Sequence, residues 1–236
     1  YALGTIIEYS SAYKNRLDKK IILNISDNKK ITSPVIGFIG AGGYASRVLI
    51  PALRKTNVYL HTLISSGGVN ASLMGRKFSF DEVSSDYSEV FNTSSINTVF
   101  IATRHNTHSK FVIESIKNNK NVFVEKPLAI SQEELDSIKN AIDSRTHKNL
   151  FHIMVGFNRR FSPHIKKIKS LLSTIVEPKT FIMTMNVGFK ESSDWTQDKE
   201  IGGGRIIGEA CHYIDLMRFL ADSPIISISA RCMGDN

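Results

Sequence analysis

Val35-Ile36-Gly37-Phe38-Ile39-Gly40-Ala41-Gly42-Gly43-Tyr44-Ala45 is the stretch that decides the fold. The apolar run from Val35 to Ile39 reads as a buried strand. Gly40 to Gly43 turn the backbone. From Tyr44 to Lys55, apolar residues recur at Ala45, Val48, Leu49, Ala52 and Leu53, the spacing of one helix face. Gly40 suits the tight turn, Gly42 has no Cβ and lets the backbone approach a pyrophosphate, and Ala45 keeps the helix close to the strand. The free N–H groups and dipole of a helix N-terminus complete an anion cradle. Set between an apolar strand and an amphipathic helix, this pattern points to a bound dinucleotide. A βα turn whose glycines serve sterics alone is the competing reading.

The same rhythm continues downstream. Strands are expected at Val58–Ile64, Phe78–Val83, Thr98–Ala102, Asn121–Val124 and Leu150–Val155. Helices are expected at Asn70–Lys77, Tyr87–Asn92 and Thr107–Asn118, and from a capping box at Ser131 and Glu134 to Ser144. Such alternation means βαβ units, hence an α/β fold with a doubly wound parallel sheet of Rossmann type. After Gly156 the rhythm changes. Helices are expected at Pro163–Ser173 and Ile206–Leu220, and alternating strands at Thr180–Val187 and Ile225–Cys232. One or two strands cannot close a sheet of their own, so this second α/β domain reads as incomplete. The expected organisation is residues 1–33 as the tail of a preceding domain plus linker, 34–156 as the dinucleotide-binding domain and 157–236 as a partial substrate domain. The chain reads as truncated at both ends.

Composition narrows the function classes. The chain has 236 residues, 42% hydrophobic and 22% charged, in the range of ordinary globular proteins rather than disordered ones. No run of 18 uncharged apolar residues exists, and the first 20 residues lack the basic leader, apolar block and cleavage site of a secretory signal. Two cysteines, Cys211 and Cys232, are too few for a disulfide framework, so a reducing cytoplasm is expected. The net charge of +8 is scattered over separated Lys/Arg pairs and forms no basic helix. This argues against nucleic acid and for a mildly basic cleft that takes anionic ligands such as cofactor phosphates. Cys211 and His212 are neighbours without zinc-ligand spacing, and no G-x-S-x-G follows a strand, so neither a metal site nor a serine hydrolase is expected.

The second strand ends Leu63-Ile64-Ser65-Ser66-Gly67-Gly68, with no carboxylate to take the ribose 2′-hydroxyl of NAD. Ser65 and Ser66 can donate to a 2′-phosphate, with Arg76 or Lys77 nearby in sequence. Either NAD or NADP is expected, with a lean to NADP or dual use.

Three further segments join the glycine turn in order. They are Ile101-Ala102-Thr103-Arg104-His105-Asn106-Thr107-His108, then Val124-Glu125-Lys126-Pro127, then Gly202-Gly203-Gly204-Arg205-Ile206-Ile207-Gly208-Glu209-Ala210-Cys211-His212-Tyr213-Ile214-Asp215. Together they resemble the Gfo/Idh/MocA oxidoreductases over about residues 35–236. Residues 3–9 (LGTIIEY) look like the end of a zinc-dependent alcohol dehydrogenase-like domain, which occurs fused to this family. The resemblance implies a Rossmann domain followed by an open-sheet domain, with a sugar-like or cyclitol-like substrate between them. It also implies hydride transfer between nicotinamide and a hydroxyl or carbonyl carbon, and homo-oligomers of the intact protein without nucleic-acid or membrane partners.

The resemblance assigns catalytic roles to Lys126 and His212. Lys126 polarises the substrate oxygen, and Pro127 keeps the preceding residue extended. A histidine titrates close to neutrality and suits proton movement. A surface lysine and a core histidine are the plainer alternatives. Expected cofactor contacts are Gly40, Ala41, Gly42, Gly43, Tyr44, Ala45, Ser65, Ser66, Thr103, Arg104, His105, His108, Glu125 and Lys126. Expected substrate contacts are Arg160 of Asn158-Arg159-Arg160-Phe161, Trp195 of a polar loop, and Asp215, which can also orient His212 or lie on the surface. Arg104 and His105 stand where relatives have Pro-Asn and are expected to add positive charge. For His108, helix-start packing is an equal alternative. Gly208 stands where relatives carry an aspartate four residues before the histidine, and Glu209 can substitute only if that segment is bent. This departure keeps two further readings open: a non-catalytic dinucleotide sensor, and tightly held NAD that drives elimination or hydrolysis.

Overall fold

A computed structural model describes residues 19–24, 34–145 and 150–231. Its centre is β2 (Val35–Ile39), all five residues of which are buried. A strand buried on both faces must be apolar throughout, which is why this run shows no alternation. β3 (Tyr59–Ile64), β4 (Glu82–Ser84), β5 (Thr98–Ile101), β6 (Asn121–Val124) and β7 (Ile153–Val155) lie parallel to it, and β1 (Lys20–Ile22) adds antiparallel to β4. The seven strands run in the order β1-β4-β3-β2-β5-β6-β7. The helices α1 (Ile50–Leu53), α2 (Gly68–Phe78), α3 (Ser88–Asn92), α4 (His108–Lys117) and α5 (Gln132–Asp143) fall within the sheet segment, close to where the periodicity predicts them.

Two apolar clusters form the core. Val99, Ile101, Phe111, Val112, Ile116, Val122 and Ile138 belong to one, and Ile36, Phe38, Ile50, Leu63, Phe78 and Phe80 to the other. The expected capping box at α5 is present with a shift. Ser131 Oγ accepts from the Glu134 N–H at 3.2 Å, while the Glu134 carboxylate accepts from Ile130 rather than from Ser131, at 2.8 Å. Ser79, at φ +59°, ends α2 in the left-handed region.

Register sets the site. Ile39 pairs with both Ile64 and Ile101, Ile101 with Val124, and Val124 with Val155. The residues that follow, Gly40, Ser65, Ala102, Glu125 and Gly156, therefore form one row along the carboxyl edge. Backbone bonds continue the ladder into it: Gly40 N–H to Ile64 (2.8 Å), Ala102 N–H to Ile39 (2.9 Å), Glu125 N–H to Ile101 (2.9 Å) and Gly156 N–H to Val124 (2.8 Å). The chain moves from β2 to β3 on one side and returns to β5 on the other, which opens a crevice above β2.

Three expectations change. The apolar run around Ile21, assigned to a preceding tail, supplies the edge strand β1. Lys20 ties it down with an ion pair of 2.7 Å to Glu82 and one of 3.1 Å to Glu89. The rest of residues 1–33, including the 3–9 segment, lies outside the described residues. The strands expected at 180–187 and 225–232 are not formed among the described residues, which exclude Cys232. Alternation shows that a segment has two faces, but a strand needs a neighbour for its N–H and C=O groups. No described strand lies beside either segment, and Ile182, Ile226 and Ile228 stay almost fully exposed. The two downstream helices form as α6 (Pro163–Leu172) and α7 (Cys211–Ala221). No described helix is long and apolar enough to cross a membrane.

Candidate active site

Gly40 opens the crevice at φ +106°, and a Cβ there would lie 2.3 Å from the Ala102 carbonyl oxygen. The glycine thus lets β2 and β5 close at their ends. Gly42 and Gly43 differ, because nothing lies within 4 Å of where their Cβ atoms would be. That open space is a cradle for a ligand rather than a packing requirement. The following helix begins with a widened π-type turn over Ala45–Leu49, closed by Ile50 N–H on the Ala45 carbonyl. Ala45 is buried, as its place against the strand requires.

Two adjoining cavities run over this turn. The larger, about 970 Å³, reaches Ser65, Ser66 and Gly67 at one end and Thr103, Arg104 and Thr107 at the other. The smaller, about 400 Å³, holds Tyr44, His105, Glu125, Lys126, Asn158 and His212. Both are lined by Gly42, Gly43, Ala102, Thr103 and Trp195, so they form one cleft. Its length, the empty room over Gly42 and Gly43, and the polar groups at both ends fit an elongated dinucleotide.

At the smaller cavity the Lys126 ammonium donates to the Gly208 carbonyl at 2.6 Å. Glu209 lies between two cations, 3.6 Å from Lys126 Nζ and 3.6 Å from an Arg159 nitrogen. A second π-type turn, Ile206–Ala210, carries Glu209 there, with Cys211 N–H reaching the Ile206 carbonyl. The sequence left Glu209's approach conditional on a bend; a widened turn stands in that place. His212 is buried and its Nδ1 has no hydrogen-bond partner among the described residues. Burial, then the charges of Lys126 and Arg159, push this imidazole down to about 4, so the ring is neutral at physiological pH. Glu125 sits beneath, with Oε1 unpartnered and its carboxyl raised by burial. A Cβ on Gly156 would be 2.8 Å from that oxygen, so the glycine makes room for it.

Several expected roles change. His105 was expected to add charge, but it is buried, and burial lowers its pKa, which keeps it neutral. Arg104 does keep its place on the larger cavity, 5.8 Å from the Trp195 ring. His108 has no exposed surface. Its Nδ1–H donates to the Pro127 carbonyl at 2.7 Å, and Nε2 lies 3.2 Å from the Thr103 carbonyl. It braces the loops that carry Thr103 and Lys126, at the wall of the smaller cavity. Arg160 and Asp215, both expected at the substrate, are spent on each other: Arg160 Nε donates to Asp215 at 2.6 Å and a second guanidinium nitrogen meets the other carboxylate oxygen. Asp215 therefore does not orient His212. Trp195 stands edge-on to His105 at 4.8 Å and lies along the cleft, not against the sheet.

The sequence reading left Asn158 and Gly156 out of the site and admitted Glu209 only conditionally. Asn158 donates to the Tyr44 hydroxyl at 2.8 Å and so joins the glycine turn to the start of the second segment. The adjoining Arg159 and Arg160 drew attention away from it. Glu209 is found only once the helix is seen to begin with a wide turn.

His108 gives a pH prediction. Burial, the largest cause, pushes its imidazole from 6.5 down to about 4. The unfolded chain then binds the extra proton first, so stability is intact above about 6.5 and is lost as pH falls towards 4. The ring's share at pH 4 is roughly 3 kcal/mol. Chemical denaturation between pH 7 and pH 4 should show this loss, and His108→Asn, which keeps a donor for Pro127, should flatten it.

A family model described as "Oxidoreductase family, NAD-binding Rossmann fold" (GFO_IDH_MocA) matches residues 35–168. Scyllo-inositol 2-dehydrogenase (NAD(+)) of Bacillus subtilis is 29% identical over 161 residues, which is 67% of this chain and 45% of that protein. Levoglucosan dehydrogenase of Pseudarthrobacter phenanthrenivorans is 28% identical over 157 residues, 64% of this chain and 39% of that one. Among solved structures, levoglucosan dehydrogenase in complex with NADH and levoglucosan superposes with a TM-score of 0.66 at 24% identity, covering 80% of this chain and 54% of that one. A 3-ketoreductase from Actinomadura kijaniata in complex with NADP superposes at 0.69 with 18% identity, covering 80% and 57%. At such identities the two structures speak for the fold. The chain spans about half the length of these relatives, or less.

Proposed function

The chain belongs to the Gfo/Idh/MocA family of oxidoreductases with an NAD-binding Rossmann fold, and from that premise we propose that it oxidises or reduces a sugar-like or cyclitol-like CH–OH group with NAD or NADP. The observation that carries this reading is a single cavity, opening on the glycine turn, that is lined by both Lys126 and His212. The nicotinamide supplies the hydride acceptor or donor when bound. Ser65 and Ser66 line the far end of the cleft without a carboxylate to repel a 2′-phosphate, which supports use of either cofactor. Glu125 and Thr103 line the same cavity as Lys126 and His212 and would hold the nicotinamide end of the cofactor there.

Lys126 keeps N–H groups for a substrate oxygen beyond the one given to Gly208. Its charge favours the oxygen in its more anionic form. In the oxidation direction the neutral His212 imidazole takes the hydroxyl proton, and in the reverse direction it returns it. Glu209 offsets part of the surrounding positive charge, so that the ring can hold the proton it receives. Tyr44 and Asn158 hold the two halves of the cleft together. The names of the relatives suggest the first panel: levoglucosan and scyllo-inositol, with the stereoisomer myo-inositol beside them. Calorimetry of the full chain with NADH and NADPH, followed by turnover with this panel and either oxidised cofactor, tests the proposal. Binding with turnover is expected, and failure to bind either dinucleotide would reject it.

A second reading, dinucleotide binding without chemistry, draws on the absence of a carboxylate partner at His212 Nδ1 and on the commitment of Asp215 to Arg160. Tight binding without hydride exchange across the panel would favour it.

A further inference from the structure

His105 occupies the short helical turn His105–Thr107 at the carboxyl end of β5. Three contacts fix its ring. Its Nδ1 lies 2.8 Å from the Gly202 carbonyl, its ring and that of Trp195 meet edge to face at a centroid distance of 4.8 Å, and Gly208 stands beside it. A Cβ on Gly208 would be 3.1 Å from His105 Cε1 and 3.3 Å from Nδ1, so the imidazole fills the room that the glycine leaves. A carbonyl oxygen only accepts, so the proton of the neutral ring sits on Nδ1 and donates to Gly202. That leaves Nε2 a bare acceptor. Among the described residues it has no hydrogen-bond partner and is not a sealed polar atom, and the ring lines the cavity shared by Lys126 and His212. A bare acceptor so placed is open to a donor from a ligand.

We propose that His105 Nε2 accepts a hydrogen bond from a sugar hydroxyl seated in this cavity, making His105 a ligand-binding residue that selects for a hydroxyl at that point. The inference rests on the dinucleotide-dependent reading above. The hydroxyl has two possible sources, the cofactor ribose and the polyol substrate, and both present the same chemistry to Nε2. Lys126 and Glu209, the charged groups facing the ring, are both engaged: Lys126 with Gly208 and Glu209, and Glu209 also with Arg159.

Asparagine and glutamine separate the two ring nitrogens. His105→Asn places an amide N–H where Nδ1 was, which keeps the tie to Gly202 and draws the acceptor back to the Cδ2 side of the ring, short of where Nε2 reached. His105→Gln restores an acceptor oxygen near the position of Nε2. Calorimetry of the full chain with NADH, and with the three polyols in the presence of NADH, gives the binding readout. Nitrogen NMR of the histidine rings gives the tautomer. Expected are a protonated Nδ1 with bare Nε2, and about tenfold weaker binding in His105→Asn that His105→Gln partly recovers. A loss for NADH identifies the ribose, and a loss confined to a polyol identifies the substrate. A proton found on Nε2 overturns the proposal. So does a His105→Asn protein that binds NADH and every polyol as the unaltered chain does, for the ring is then a backbone tie alone. An unaltered chain that binds neither NADH nor NADPH fails differently: it removes the dinucleotide reading itself, and this inference with it.

Discussion

Lys126→Ala is expected to lower the turnover number by about 10²–10⁴-fold, the usual range for a positioned group that handles charge on the reacting oxygen. Dinucleotide affinity should change far less, because on the proposed reading the glycine turn and the far end of the larger cavity, which Lys126 does not line, would hold most of the cofactor. The split matters. A lysine that merely brings the two segments together through its bond to Gly208 would, when removed, weaken binding and catalysis in parallel. A lysine that meets the substrate oxygen in the transition state lowers turnover while the dissociation constant for NADH is nearly kept. Lys126→Arg does not restore the rate on this reading, since the planar guanidinium is larger and already has a neighbour of its kind in Arg159 across Glu209. Single-turnover hydride transfer in Lys126→Ala, measured with NADH at saturation, decides the matter. A rate within a few-fold of the unaltered protein would remove Lys126 from the chemistry.

The Rossmann half of this chain was legible because local and global signals agree. Val35–Ile39 is apolar on both faces, the glycines fall where a turn is needed, and Ser131 caps the helix that follows the Glu125-Lys126-Pro127 turn. The segment after Gly156 was less legible because its alternation depends on partners that a one-dimensional pattern does not contain. The same limit applies within the site. Lys126 and His212 are 86 positions apart in the sequence (212 less 126), and only their place in one ordered motif set brought them together before any fold was known. Which carboxylate faces which cation could not be read at all. Asp215 looked available to His212 at helical spacing, yet Arg160, from another element, claims it. Glu209 looked turned away from the cleft on an ideal helix. It reaches Lys126 because the helix begins with a π-type turn, a feature with no dependable sequence signal. His105 shows the opposite failure: it looks like a source of positive charge, and burial makes it neutral.

The glycine turn gives the second large effect, because its glycines have different reasons to be there. Gly42→Leu should leave folding stability almost unchanged. Gly42 is not held in the left-handed region, and its missing Cβ faces open space. The added side chain would occupy the room proposed for the pyrophosphate, so NADH affinity should fall by at least about 100-fold, or roughly 2.7 kcal/mol. Gly40→Ala should act through the fold instead. At φ +106° an L-residue is strained by about 1–3 kcal/mol. Its Cβ would also meet the Ala102 carbonyl at 2.3 Å, and that backbone is fixed by the bond from Ala102 N–H to Ile39. A fall in Tm of roughly 5–10 °C is expected for a chain of this size. Thermal unfolding and NADH calorimetry on both variants therefore form a crossed test: one variant keeps Tm and loses ligand, and the other loses Tm before any ligand is added. If Gly42→Leu bound NADH as tightly as the unaltered chain, the cofactor would not pass over this turn, and the placement of nicotinamide beside Lys126 and His212 would fall with it.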